Sequence, residues 1–217
     1  MGVQHIPEMQ GNKAVTGFMS TSITHLLYLH GFRSSPNSFK AQVMARWMRE
    51  HRPDVVWCCP QLPASPTAAM ALIESLVADW PRPSMAVIGS SLGGFYAHVA
   101  AERCACPAVV INPAVFPSRD LAKYIGEHPA WHNPDEKIFF KPEFVDELKA
   151  LEGLPVSHPQ RIMSLIAKGD EVLDWREMSG RFVDTHMTLL EGGDHALSDF
   201  ESVHLEAVLR FLGLSPL

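Results

Sequence analysis

The chain has 217 residues, a hydrophobic fraction of 47% and a formal net charge of −6. That length suits one domain of ordinary size, the apolar share supplies a core and excludes wholesale disorder, and the acidic balance disfavours a nucleic-acid partner. No apolar run approaches the ~18–20 residues needed for a membrane span, and residues 1–20 lack the basic start and apolar stretch of a secretory signal, so a cytoplasmic protein is expected.

The predicted elements alternate between strand and helix. Leu26–Leu29 is a short, uniformly apolar run, as expected of a strand buried on both faces, and it leads into His30-Gly31-Phe32. Ser35-Pro36 reads as a helix start, with Phe39, Val43 and Trp47 forming the apolar stripe that follows. A strand at 55–59 ends at Pro60, and Met70, Ile73, Val77 and Trp80 continue at helical spacing. Met85–Ile88 is the next strand, followed by Gly89-Ser90-Ser91-Leu92-Gly93-Gly94 and a helix carrying Phe95, Tyr96 and Val99. Ala108–Ile111 closes at Asn112-Pro113.

The rhythm then breaks over residues 113–160, rich in prolines, aromatics and charges, with short helices at most, such as Glu143 to Leu151. Connections of this length are often functional, so a small lid insertion is expected there. Strands return at 162–167 and 187–190, with a helix near 175–182 between them and a last amphipathic helix through Leu205, Leu209 and Leu212 that Gly213 terminates. The alternation implies a mostly parallel sheet with helices on both faces. The four cysteines, Cys58-Cys59 and Cys104-Ala105-Cys106, lack zinc-site spacing and read as buried, reduced thiols.

Chemistry concentrates in GSSLGG. Only one register fits the pattern G-x-S-x-G: Gly89 and Gly93 flank Ser91, which makes Ser91 the candidate nucleophile. A serine hydroxyl needs a base within hydrogen-bond reach, and the base needs an orienting acid. On a sheet of this kind the acid and the base follow the serine in that order. Asp170 follows the strand at 162–167, and His195 follows the strand at 187–190, so both lie on loops at the edge that carries Ser91. Glu171 and Asp174 are competing acids. The expected oxyanion donors are the backbone N–H groups of Leu92 and Phe32. His30 either shapes its loop or touches substrate. Phe116, Trp131, Phe139 and Phe140 either line an acyl pocket or pack the insertion onto the sheet; Phe116 and Trp131 stand with His30 as the substrate-binding candidates.

Together, YLHGFRSSP at 28–36, PQLP at 60–63, GSSLGG at 89–94, NPAV at 112–115, GDEVLDW at 169–175 and EGGDHAL at 191–197 resemble the α/β-hydrolase superfamily, and within it the YqiA-like esterase family, the UPF0227 group. The resemblance runs from about residue 20 to 213 and implies a single α/β-hydrolase domain, leaving residues 1–19 as an N-terminal extension. It implies a compact intracellular esterase acting on acyl esters, with its nucleophile, acid and base on Ser91, Asp170 and His195. The 113–160 region matches poorly beyond NPAV.

The function expected is a serine esterase that hydrolyses small acyl esters or thioesters through an acyl-enzyme, with no metal or organic cofactor. A binding module that kept the fold without turnover, and a carbon–carbon bond hydrolase using the same three side chains, are the other readings.

Overall fold

A computed structural model describes residues 22–131, 133, 135 and 137–215; the expected N-terminal extension, 1–19, lies outside the described residues. In chain order the elements are β1 (His25–Leu29), α1 (Phe39–His51), β2 (Val56–Cys58), α2 (Pro66–Leu76), β3 (Met85–Ser90), α3 (Leu92–Cys104) and β4 (Ala108–Ile111). The β4–β7 connection holds α4 (Pro117–Leu121), β5 (Gly126–Pro129), β6 (Lys137–Phe140) and α5 (Glu143–Leu151). The chain closes with β7 (Ile162–Ala167), α6 (Trp175–Arg181), β8 (His186–Leu190) and α7 (Leu205–Phe211).

Six strands form one sheet in the order β2-β1-β3-β4-β7-β8. Every neighbouring pair is parallel, as apolar strands covered on both faces require. All residues of β3, β4 and β7 are buried. Side chains alternate between two cores. One packs Leu27, Leu29, Val87 and Val110 beneath α2, α3 and α5. The other packs Leu26, Tyr28, Ile88 and Ile111 beneath α1 and α7. Each Leu or Ile so buried contributes roughly 1.5–3 kcal/mol relative to exposure. The chain runs from β1 outward to β2 and returns to β3 on the other side of β1, so the loops after β1 and β3 diverge. That switch opens a crevice at the carboxyl edge, where ligands of open α/β sheets bind.

Three expectations change. The first helix starts at Phe39 rather than Pro36, because the Ser35 hydroxyl accepts the Asn37 N–H and the Ser35 carbonyl accepts the Ser38 N–H, which spends Ser35 on a turn. Its buried stripe is Ala41, Val43, Met44 and Met48, while Phe39 is 49% exposed. Val43 is buried and Trp47 packs against the same core, so of the expected stripe only Phe39, at the first turn of the helix, stands out. The β4–β7 connection also holds an antiparallel hairpin, β5–β6, besides its short helices. The four thiols are free, but Cys58 and Cys59 are only half-buried.

Candidate active site

The turn between β3 and α3 is built by the absence of side chains. A Cβ on Gly89 would stand 2.0 Å from the Gly93 carbonyl oxygen, and one on Gly93 would stand 2.0 Å from the Leu29 carbonyl oxygen. Both distances are impossible, so the pattern G-x-S-x-G is a steric demand of strand, turn and helix meeting backbone to backbone. Between them Ser91 adopts φ 59° and ψ −124°, a conformation disfavoured for any residue with a Cβ. Its carbonyl accepts the N–H groups of Gly94, Phe95 and Ala114, and its own N–H donates to Ile111, which anchors the strain. Arg33, Asn112 and Leu197, in the loops around the same edge, share the positive φ.

The structure brings three distant side chains together. His195 Nε2 lies 3.0 Å from Ser91 Oγ, and His195 Nδ1 lies 2.7 Å from Asp170 Oδ2. An ionised carboxylate only accepts, so Nδ1 carries the proton and the Nε2 lone pair faces the serine hydroxyl. The Asp170 side chain is fully enclosed, and its Oδ1 accepts the Val172 and Leu173 N–H groups, each at 2.8 Å. The competing acids are occupied elsewhere. Glu171 Oε2 accepts the His195 backbone N–H at 3.0 Å, and Asp174 caps α6 through the Arg176 N–H at 2.9 Å.

Two residues that the sequence reading left out of the site hold the His195 loop. Asn112, fully buried at the end of β4, donates from Nδ2 to the Asp194 and His195 carbonyls at 3.0 and 3.1 Å. Its Oδ1 accepts the Ala167 N–H at 2.8 Å, where β7 gives way to the Asp170 loop. One amide thereby ties the Asp170 loop to the His195 loop. The visible signal was a strand-end Asn before Pro, a residue that tolerates positive φ. Lys40, on α1, donates from Nζ to the Ala196 carbonyl and is only 8% exposed. Burial pulls its ammonium down to about 8, against the opposing pull of Asp194 and Asp170. Nothing in the local sequence separated Lys40 from a solvated helical lysine.

The loop after β1 passes close to the serine: a Cβ on Gly31 would lie 3.2 Å from Ser91 Cβ and 3.6 Å from its Oγ. Among the described residues, neither the Phe32 nor the Leu92 N–H is taken by a backbone carbonyl outside the regular elements. His30 is buried and braces this loop. Its Nδ1 donates to Gly31 O at 2.9 Å, and its Nε2 accepts the Leu62 N–H at 3.0 Å.

A cavity of about 470 Å³ opens beside Ser91 and His195, with Phe32, Lys40, Leu121 and Trp131 among its walls. Trp131 is 71% exposed, stacks under the Arg33 guanidinium at 4.3 Å, and donates its backbone N–H to Arg33 O. Phe116 lies outside this lining and faces Arg119 instead, 5.2 Å from its ring. Phe140 is buried against Phe32 and Phe144, and Phe139 borders a second, smaller cavity behind the Gly31–Ser34 loop. Thus His30 and Phe116 stand back from the cavity beside the serine, and Trp131 stands in its wall, because the hairpin carries it to the Arg33 turn.

Solved structures share this fold. The chain aligns with alpha/beta hydrolase domain-containing protein 10 from mouse at 17% identity, covering 95% of this chain and 93% of that one, with a TM-score of 0.66. It aligns with Est1E from Butyrivibrio proteoclasticus, solved with ferulic acid bound, at 14% identity, 88% and 87% coverage and a TM-score of 0.61. The esterase Pf2001 from Pyrococcus furiosus aligns at 16% identity, 88% and 81% coverage and a TM-score of 0.54. The sheet, the crevice and these likenesses establish the α/β-hydrolase fold. A family model described as "Uncharacterised protein family (UPF0227)" matches residues 25–213, which span every element from β1 to α7, and the chain belongs to that family.

Proposed function

We propose that the chain is a serine esterase that hydrolyses small acyl esters or thioesters through an acyl-enzyme. The observation that carries this reading is the continuous relay from Ser91 Oγ through His195 to Asp170, at 3.0 and 2.7 Å. As the Ser91 oxygen attacks the substrate carbonyl, His195 Nε2 takes the hydroxyl proton. Asp170 holds the imidazole in the tautomer that can accept it and stabilises the imidazolium. The Phe32 and Leu92 N–H groups receive the developing oxyanion, each such donor being worth about 3–4 kcal/mol of transition-state stabilisation. The imidazolium then protonates the leaving group, and a water activated by the same His195 releases the acid. Each step moves a proton between groups already on the relay, and none asks for a cofactor. The bound acid in Est1E and the esterase described from P. furiosus support ester chemistry on this fold.

A fluorophosphonate probe tests the reading together with a panel of 4-nitrophenyl esters and acyl thioesters. Labelling and hydrolysis by the wild type that both vanish in Ser91→Ala are expected. A folded wild type that neither labels nor turns over any member of the panel overturns it.

A further inference from the structure

Lysine is almost never buried without a carboxylate partner, because an isolated ammonium loses its hydration. Lys40 departs from this rule in part: Asp194 and Asp170 attract it from a distance, and neither forms an ion pair with it. Its side chain lines the cavity beside Ser91, is 8% exposed, and meets a neutral carbonyl, that of Ala196. The nearby carboxylates are committed elsewhere. Asp170 serves His195 and two backbone N–H groups; Asp194 takes the Ser198 N–H and hydroxyl; Glu171 takes the His195 N–H. Among the described residues Lys40 makes no ion pair. On the same wall, the enclosed Ser38 hydroxyl faces the Tyr28 phenol. The other cation-bearing walls differ: Lys123 is exposed, and Arg33 is committed to Trp131 and to the Pro129 carbonyl. One stretch of a cavity whose walls are largely apolar, but which also include Asp120 and Glu171, thus holds a buried ammonium with donors to spare and a hydroxyl beside it.

We propose that Lys40 and Ser38 form a subsite for a carboxylate carried by the substrate, so that the chain favours monoesters or monothioesters of dicarboxylic acids over neutral esters of equal length. The Lys40 ammonium supplies the counter-charge and a donor, and the Ser38 hydroxyl supplies a second donor. This deepens the esterase reading and rests on it for turnover, not for binding.

The test compares 4-nitrophenyl hydrogen adipate with 4-nitrophenyl hexanoate, matched in chain length, on wild type, Lys40→Gln, Lys40→Arg and Ser38→Ala. A charged hydrogen bond is worth enough that the adipate-to-hexanoate ratio of kcat/KM should fall at least about tenfold in Lys40→Gln. It should fall by a smaller factor in Ser38→Ala and recover in part in Lys40→Arg. An equal loss on both esters overturns the subsite and leaves Lys40 as a brace of the Ala196 carbonyl. A third substrate, 4-butyryloxybenzoate, carries the acid on the alcohol side; if it alone shows the Lys40 dependence, the acyl-side assignment falls. Calorimetry with monomethyl adipate separates this proposal from the esterase reading. Binding to Ser91→Ala that is lost in Ser91→Ala/Lys40→Gln supports the subsite even where no ester is hydrolysed, and equal binding by the two variants, or none by either, refutes it. Melting curves of each variant confirm that folded protein is compared.

Discussion

The β3–α3 turn and the β4–β7 connection face the same cavity but are held by different means. At the turn, backbone approaches backbone, and the space left for a Cβ on Gly89 or Gly93 is nil. In the connection, side chains carry the fold. The Phe140 ring meets Phe32 and Phe144 edge-on, Glu147 Oε2 accepts the Ser65 hydroxyl and the Thr67 N–H, and Trp131 lies under Arg33. Backbone contacts accept almost no substitution, whereas side-chain contacts can be exchanged for others of similar volume. The part that would do chemistry is therefore rigidly specified. The part that would choose the substrate is adjustable.

Glycine substitutions are the harshest way to break this contrast. In Gly93→Ala the new methyl would collide with the Leu29 and His30 carbonyls at 2.0 and 2.6 Å, and both belong to β1 or to the loop that leaves it. A loss above about 3 kcal/mol is expected, or no folded protein at all. In Gly153→Ala, just beyond α5, the methyl meets nothing within 4 Å, and a change within about 0.5 kcal/mol is expected. Urea unfolding of the two variants measures both. Comparable losses would erase the distinction. Asp170→Asn probes the chemistry without the steric strain. The amide keeps its shape and one acceptor for Val172 and Leu173 but turns the imidazole toward the wrong tautomer. Esterase kcat should fall about 10³–10⁴-fold with melting unchanged.

The same contrast decided what could be read in the sequence. The alternation of strand and helix, the serine register and the positions of Asp170 and His195 are legible because each depends on an apolar run ending in small or polar residues at a sheet edge. Asn112 was visible only as a strand terminator. Its amide acts on carbonyls 82 and 83 residues later, and no local pattern encodes that reach. Lys40 was invisible for the same reason, since its partner Ala196 lies 156 residues away. The β5–β6 hairpin has no signature of its own because its four-residue strands, Gly126–Pro129 and Lys137–Phe140, are too short to show alternation. Phe116 and Trp131 looked equivalent as aromatics of one segment, and the turn at Arg33 alone distinguishes them.

Lys40 sharpens the comparison, because it is one place where the well-specified rim is strained by charge rather than by sterics. An unfolded lysine holds its proton to about 10.5, the buried one to about 8, so between those values the unfolded chain binds more protons and stability rises with pH. Below about pH 8 the full burial cost is present. Lys40→Met should therefore stabilise the protein at pH 7, by about 3 kcal/mol at most, less the lost bond to Ala196. The gain should disappear as the pH approaches 10.5. Denaturation at pH 7 and pH 10 checks the sign, and a variant less stable at pH 7 would mean that the Ala196 contact outweighs desolvation.

The smallest effect is expected where the connection is most open. Trp131 is 71% exposed, and the Arg33 guanidinium lies 4.3 Å from its ring. The backbone bond to Arg33 O survives in Trp131→Ala, so the hairpin keeps its attachment and the melting curve should scarcely move. An exposed cation–π pair is worth only about 0.5–1 kcal/mol. What changes is the wall offered to a bound acyl or leaving group. Its loss weakens substrate and transition state alike, which raises KM a few-fold and leaves kcat in place. Bulky aromatic esters should feel this more than acetate esters. A fall in kcat instead would show that Trp131 holds the Arg33 turn, and through it the Phe32 N–H, so that the adjustable region reaches into the rigid one.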